Sequence, residues 1–349
     1  MFLKHLKSPF SKKASTSKQT VLVTGGTGFL GAHIIAQLLE KGYIVHATAR
    51  SASKLRSIFP KATSEQLKVI EVPSLTSDHS IALKGVDALV HSASPIFGEG
   101  VSGQDLYSGA YEGTLTLVKQ AIAAGVKKII ITGTFVNLFD AFGTRILTEK
   151  DFGSVTQATI DLNNDGMRVY QEAKTLADKA IWDLALSKPK VDFTVLLPPA
   201  IFGPQLSTDA TLTYSPSSLG TNGFVQMLFA PEYPPVPIGH MIDVRDAAHA
   251  HVLALSTPPV PGRAKRFIIS NGTFLWKDVA ALVRRRKPEL AARLPKETSV
   301  PGPQTSAPMD TMFAKEVLGM TSYISQEETF MEAVDVVLQW EKKFGGKSL

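Results

Sequence analysis

Thr20-Val21-Leu22-Val23-Thr24-Gly25-Gly26-Thr27-Gly28-Phe29-Leu30-Gly31 is the stretch whose reading decides the fold. Its first five residues are apolar or β-branched and read as a buried strand. Glycines follow, and after them Leu30, Ile34, Ile35, Leu38 and Leu39 recur at helical spacing as far as Lys41. A strand that turns through glycines into an amphipathic helix is the context in which Gly26-x-Gly28-x-x-Gly31, or the variant Gly25-x-x-Gly28-x-x-Gly31, denotes a dinucleotide site. The glycines let backbone approach a pyrophosphate, and the helix N-terminus meets it with free N–H groups. No Gly-Lys-Ser/Thr follows, so this is not a nucleoside-triphosphate loop.

Working outward, short apolar runs alternate with helical patterns. Strands are expected at Tyr43–Ala49, Leu67–Val72, Val86–Ser92, Lys128–Thr132 and Phe193–Leu197, and helices at Leu106–Ala124 and from about Tyr170 to Ser187. Such alternation predicts an α/β fold, a Rossmann-type doubly wound parallel sheet covered on both faces. From Pro198 the texture changes to Pro, Gly, Ser and Thr, with Phe202, Phe224, Met227 and Phe229 among them, which reads as irregular chain over a pocket. Asp246 is the expected N-cap of a helix over Ala247–Leu255, and further helices are expected near Trp276–Arg286, Asp310–Leu318 and Glu327–Lys343. The expected division is a basic tail over 1–19, a cofactor domain over 20–197 plus about 238–258, and a smaller C-terminal substrate-binding lobe from 198–237 and 259–349.

The chain has 349 residues, 44% hydrophobic and 19% charged, a globular balance. It has no Cys, which excludes disulfides, thiol catalysis and Cys-based metal sites and suits a cytoplasmic protein. Lys4, Lys7, Lys12, Lys13 and Lys18 all precede residue 20, where no acid occurs, so much of the net +6 belongs to a tail and not to a nucleic-acid groove. That tail reads as a disordered leader, with a mitochondrial transit peptide as the lesser alternative. No apolar run reaches a membrane span. Lys347-Ser348-Leu349 only scrambles a peroxisomal signal. Arg284-Arg285-Arg286-Lys287 ends a helix before Pro288, where cations suit the helix dipole, so no nucleic-acid partner is read from it. His249 and His251 lie on different helix faces, and no metal site is expected.

Two further features set the chemistry. Between Lys41 and Ser64 there is no Asp or Glu; Arg50 ends the second strand, with Lys54 and Arg56 close behind. An NAD site wants an acid there for the ribose hydroxyls, whereas a guanidinium suits the 2′-phosphate of NADP(H). Tyr170 and Lys174 are four apart on one helix face, where an ammonium lowers the pKa of a phenol and readies it for proton transfer.

On Thr24–Gly31, Arg50, Val90-His91-Ser92-Ala93-Ser94-Pro95, Tyr170 with Lys174, Pro198–Pro204 and Met241–Asp246, the chain resembles the extended short-chain dehydrogenase/reductase family. Within it, the branch holding dihydroflavonol reductase, cinnamoyl-CoA reductase and fungal ketone or aldehyde reductases is the most similar. The resemblance implies that Tyr170 protonates a carbonyl oxygen and that Lys174 binds the nicotinamide ribose and tunes Tyr170. It places Gly25, Thr27, Gly28, Phe29, Leu30, Gly31, Arg50 and Lys54 on the cofactor. It also places Ser74 and Leu75 by the adenine, Ser92, Ala93 and Ser94 along the cofactor, and Pro198, Ala200 and Ile201 behind the nicotinamide. Two departures stand out. Thr132-Gly133-Thr134 replaces the usual Thr-Ser-Ser, so Thr134 takes the place of the catalytic Ser, and Ala110, Tyr111 and Glu112 stand where an Asn often relays protons. The implied activity is NADPH-dependent reduction of a hydrophobic or aromatic aldehyde or ketone to an alcohol, by a monomer or homodimer. Alternatives on the same scaffold are a sugar-nucleotide epimerase or dehydratase, for which Arg263, Lys265 and Arg266 offer cations, and a 3-beta-hydroxysteroid dehydrogenase. A non-catalytic NADPH-sensing regulator has no need of Tyr170 and Lys174.

Overall fold

The computed structural model describes residues 18–98, 100–141, 143–236, 238–260, 264–300, 302 and 307–345. Most of the expected basic tail, Arg263 and the C-terminal Lys347-Ser348-Leu349 lie outside the described residues. Strands β1 (Thr20–Thr24), β2 (Ile44–Ala49), β3 (Leu67–Glu71), β4 (Ala88–His91), β5 (Lys128–Thr132) and β6 (Asp192–Leu197) form a parallel sheet. Helices α1 (Phe29–Glu40), α2 (Ala52–Ile58), α3 (Gly113–Ala123) and α4 (Gly166–Ser187) connect or cover them. A short pair, β7 (Ala200–Phe202) and β8 (Met241–Asp243), leads into α5 (Val244–Ala254). The chain continues through β9 (Lys265–Ile268), α6 (Trp276–Arg286) and α7 (Gln326–Phe344).

The main sheet has seven strands in the order β3-β2-β1-β4-β5-β6-β9. The strand order reverses between β1 and β4, which is where such sheets bind ligands, beyond the carboxyl ends of the strands. β9 pairs in parallel with β6, so residues 265–268 belong to this sheet and not to the C-terminal lobe where the sequence placed them. Burial follows the period of two. Val21 and Val23 pack into one core with Ile34, Ile35 and Leu38 of α1, while Leu22 points into the other core with Leu117, Ile181 and Val195. Ile130 and its neighbours Ile129 and Ile131 divide in the same way, which is why these strands are apolar throughout.

The lobe is held by aromatic side chains. Phe202 of β7 lies 5.8, 6.2 and 5.1 Å from the rings of Phe274, Trp276 and Phe330, and all four are buried. Phe202 is therefore core and does not line the pocket that the sequence assigned to it. Asp243, not Asp246, caps α5: β8 ends at Asp243 in extended conformation, and its Oδ1 accepts the Arg245 amide at 2.8 Å. Asp246 lies within the first turn and accepts the Ile324 amide at 2.8 Å. In the Arg284–Lys287 run, Arg284 donates to Pro295 O, Arg285 and Arg286 pair with Glu327, and Lys287 pairs with Asp335.

Candidate active site

The glycine turn is fixed by sterics. Gly25 has φ +77°, and a Cβ on it would fall 2.9 Å from the backbone of Ala93, so the turn lies hard against the loop after β4. A Cβ on Gly31 would fall 2.2 Å from the carbonyl oxygen of Gly25. The Gly28 amide closes the turn on Gly25 O at 2.9 Å. α1 then opens with no acid in its first turn and no side-chain cap, which leaves its N-terminal dipole free for an anion. Thr27, Phe29 and Leu30 occupy this turn and the start of α1.

A buried hydrogen-bond chain locks the turn to β4. Thr114 Oγ1 donates to Ala110 O at 2.7 Å, so it accepts from His91 Nε2 at 3.0 Å. His91 Nδ1 is then the acceptor for Thr24 Oγ1 at 2.7 Å, and Thr24 Oγ1 accepts the Ala93 amide at 3.3 Å. Burial, with Lys174 and His79 nearby, pushes His91 down to about 3, so the ring is neutral and carries its proton on Nε2. Ser92, Ala93 and Ser94 thus run directly beside the turn. Ser94 Oγ donates to Pro95 O at 3.2 Å.

At the adenosine edge, Arg50 follows β2 and is exposed. Ser51 Oγ caps α2 by accepting the Lys54 amide at 3.3 Å. An open groove of about 480 Å³ beside α2 is lined by Ser53, Lys54, Ser57, Ser207 and Asp209. The sequence reading looked for an acid along β2 alone; the sheet brings one from β3. Glu71 stands opposite Ala49, and its Oε2 accepts the Ala52 amide at 3.1 Å. Ser74 shares its hydroxyl with Thr76 and Ser77 at 3.0 and 2.8 Å. Leu75 packs so close to α3 that a Cβ on Gly113 would fall 2.6 Å from its own. Turn, dipole and cations together fit a pyrophosphate and a 2′-phosphate.

Tyr170 and Lys174 share the inner face of α4, which Asp165 starts by accepting the Met167 and Arg168 amides. The Tyr170 ring is half-buried, 5.7 Å from that of Phe97. Lys174 is buried and donates from Nζ to Thr132 O at 2.8 Å. Burial pushes its ammonium down to about 8, against an opposing pull from Asp178 one turn on. The expected lowering of the phenol pKa by Lys174 is not found. Burial raises Tyr170 to about 12, because its surroundings disfavour a phenolate and the ammonium is turned to the Thr132 carbonyl. Thr132 is itself held: His251 Nδ1 donates to Ala247 O at 2.7 Å, which makes Nε2 the acceptor for Thr132 Oγ1 at 2.8 Å.

Thr134 is half-buried where β5 gives way to the turn Phe135–Leu138. Its hydroxyl oxygen faces the Val136 amide at 3.5 Å, a weak bond that leaves the O–H free to donate. Pro198 is joined to this turn, its carbonyl accepting the Phe135 amide at 3.0 Å. Ala200 is buried and Ile201 half-buried on β7, with Ile201 O accepting Thr221 Oγ1. Ala110, Tyr111 and Glu112 fall in a π-helical turn, Ser108–Glu112, that interrupts the helix expected over Leu106–Ala124. The sequence reading missed Phe97, Asn137 and Asp178, and weighed His251 only as a metal ligand. Only Asp178 gave a signal, standing four residues after Lys174 as Lys174 stands after Tyr170.

A glycine turn at the sheet's reversal point, with a tyrosine and a lysine on the adjoining helix face, defines a dinucleotide-binding protein equipped for proton transfer. Residues 21–269 match the model of the NAD dependent epimerase/dehydratase family, and the chain belongs to that family. It is 31% identical over 324 residues to the ketoreductase azaE of Aspergillus niger, covering 86% of this chain and 92% of that one. It is 26% identical to the NADPH-dependent methylglyoxal reductase GRE2 of Saccharomyces cerevisiae, covering 92% and 99%. Its fold is that of the crystal structure of yeast methylglyoxal/isovaleraldehyde reductase Gre2 complexed with NADPH, with a TM-score of 0.82 and 23% identity over 93% of this chain and 100% of that one.

Proposed function

We propose that the protein is an NADP-dependent oxidoreductase that uses NADPH to reduce the carbonyl of a hydrophobic or aromatic aldehyde or ketone. The observation that carries this reading is Tyr170, set against Phe97 on the helix that also bears Lys174 one turn on. The relatives named as an NADPH-dependent methylglyoxal reductase and a ketoreductase support it. The cofactor supplies a hydride when bound. The chain does the rest. Gly25, Gly28, Gly31 and the N-terminus of α1 hold the pyrophosphate, and Arg50 with Lys54 meets the 2′-phosphate. Beyond its bond to Thr132 O, Lys174 has two N–H groups with no acceptor among the described residues, and one of these meets the nicotinamide ribose hydroxyls. Thr134 donates to the substrate carbonyl, and Tyr170 gives its proton to the oxygen as negative charge develops there. Phe97 gives the apolar surface beside Tyr170.

A sugar-nucleotide reading loses the two of its three cations that lie among the described residues. Lys265 is buried against Asp192 at 2.8 Å, and Arg266 against Asp178 at 2.7 Å, so neither is free for a diphosphate. The test is the decay of NADPH absorbance with a panel of aromatic, aliphatic and sugar-nucleotide carbonyl compounds. Turnover confined to apolar carbonyls is expected. Products are also analysed directly, and conversion of a nucleotide sugar without net NADPH consumption overturns the reading.

A further inference from the structure

Behind Lys174 lies a cavity of about 10 Å³, lined by Thr114, Asn137, Lys174, Asp178 and apolar side chains. The polar groups around it are unevenly matched. Asp178 Oδ2 accepts three bonds, from Arg266 Nε at 3.2 Å, Arg266 Nη2 at 2.7 Å and Asn137 Nδ2 at 3.2 Å. A guanidinium fork normally serves both carboxylate oxygens; here both its N–H groups go to one, and Asp178 Oδ1 is buried with no donor among the described residues. The carboxylate also fixes the Asn137 amide, since only its NH₂ can face Asp178 Oδ2. That leaves Asn137 Oδ1 buried and, among the described residues, without a donor as well. Buried acceptors of this kind are costly unless satisfied, and the ammonium of Lys174 lines the same cavity with N–H bonds to give.

We propose that this cavity is a binding site for one ordered water, which bridges the Lys174 ammonium to Asp178 Oδ1 and Asn137 Oδ1. A buried water needs roughly 10–15 Å³ and 2–4 polar partners, so the cavity admits a single molecule. The water takes a hydrogen bond from Lys174 and gives one to each acceptor, leaving no polar atom of the group unmatched. Asn137 and Asp178 are then positioning residues: through the water they hold Lys174 charged and aimed at the cofactor ribose. The inference rests on the proposed role of Lys174 toward the cofactor, but its test does not require turnover. The other groups facing Lys174 are Tyr170 on the same helix, His91 on β4 and, behind Asp178, Arg266 on β9. None of these is altered by changing Asn137.

Asn137→Leu fills the cavity and removes the acceptor, whereas Asn137→Ala removes the acceptor but keeps room for water. NADPH dissociation constants, measured by fluorescence from pH 6.5 to 10, report the ionisation of Lys174 in the free protein. In Asn137→Leu the alkaline loss of affinity should begin about one pH unit lower than in wild type, equivalent to about 1.4 kcal/mol. Asn137→Ala should stay close to wild type. Equal profiles for wild type and Asn137→Leu, or a lowered profile in Asn137→Ala as large as in Asn137→Leu, overturn the proposal. A crystal structure of the wild type at about 1.6 Å decides independently of either variant. Density in the cavity within hydrogen-bond distance of all three groups is expected, and a cavity without density refutes the site. Failure of the wild type to reduce any carbonyl compound leaves both readouts intact.

Discussion

Replacing Tyr170 by Phe removes one oxygen and leaves a ring that still packs on Phe97. The variant should fold and bind NADPH as wild type does, with turnover lower by about two to four powers of ten, the scale of general acid catalysis. Undiminished turnover in steady-state assays removes Tyr170 from the mechanism. Arg50 is the residue proposed to carry the cofactor preference. A partly exposed, charge-assisted bond to a 2′-phosphate is worth about 1.5–3 kcal/mol, or roughly ten- to hundred-fold in affinity. Arg50→Asp should weaken NADPH by at least that factor while NADH loses little, as titration with both cofactors will report; an equal loss for both makes Arg50 structural. The places of Tyr170, Lys174 and Arg50 in the fold were legible in the sequence because helix periodicity or a strand end sets their neighbours. Glu71, Asn137 and Phe97 were not, because strand pairing and loop packing bring them in from distant sequence.

At the level of elements, the glycine turn is the part most narrowly determined by its sequence. Gly31→Ala forces a methyl to within 2.2 Å of Gly25 O, and that neighbour is backbone that cannot swing aside. The expected result is a loss of NADPH affinity of at least about tenfold, because the turn must open where the pyrophosphate lies close. Calorimetric titration measures it, and wild-type affinity in Gly31→Ala contradicts the proposed geometry. Strands and helices of the cofactor domain follow the apolar periods closely. The exceptions have physical causes. The π turn over Ser108–Glu112 preserves the helical apolar pattern and so leaves no mark in the sequence. β9 escaped notice because Lys265 and Arg266 look like surface residues; both are buried by pairing with Asp192 and Asp178. The cap of α5 was placed three residues late because Asp243 and Asp246 both suit that role, and only the end of β8 distinguishes them.

Across the whole molecule, neutral buried imidazoles tie stability to pH. Burial pushes His91 to about 3 and His251 to about 4. Both native values lie below the unfolded value of about 6.5, so the unfolded chain takes up protons that the native protein refuses. Their contribution is complete above about pH 6.5 and is lost as pH falls toward 4, at up to about 1.4 kcal/mol per unit for each ring. Urea midpoints should therefore decline from pH 6.5 to 4.5, and His251→Gln should flatten the decline; an unchanged slope excludes His251 as a source. The same arrangement joins the sheet's reversal point, the glycine turn and Tyr170 into one proposed reaction centre. The most direct measurement uses NADPH carrying deuterium at both C4 positions, with an aromatic ketone or aldehyde that the protein turns over. The account predicts an alcohol with one deuterium on the carbinol carbon and an O–H proton from solvent. An alcohol formed without deuterium at that carbon contradicts it.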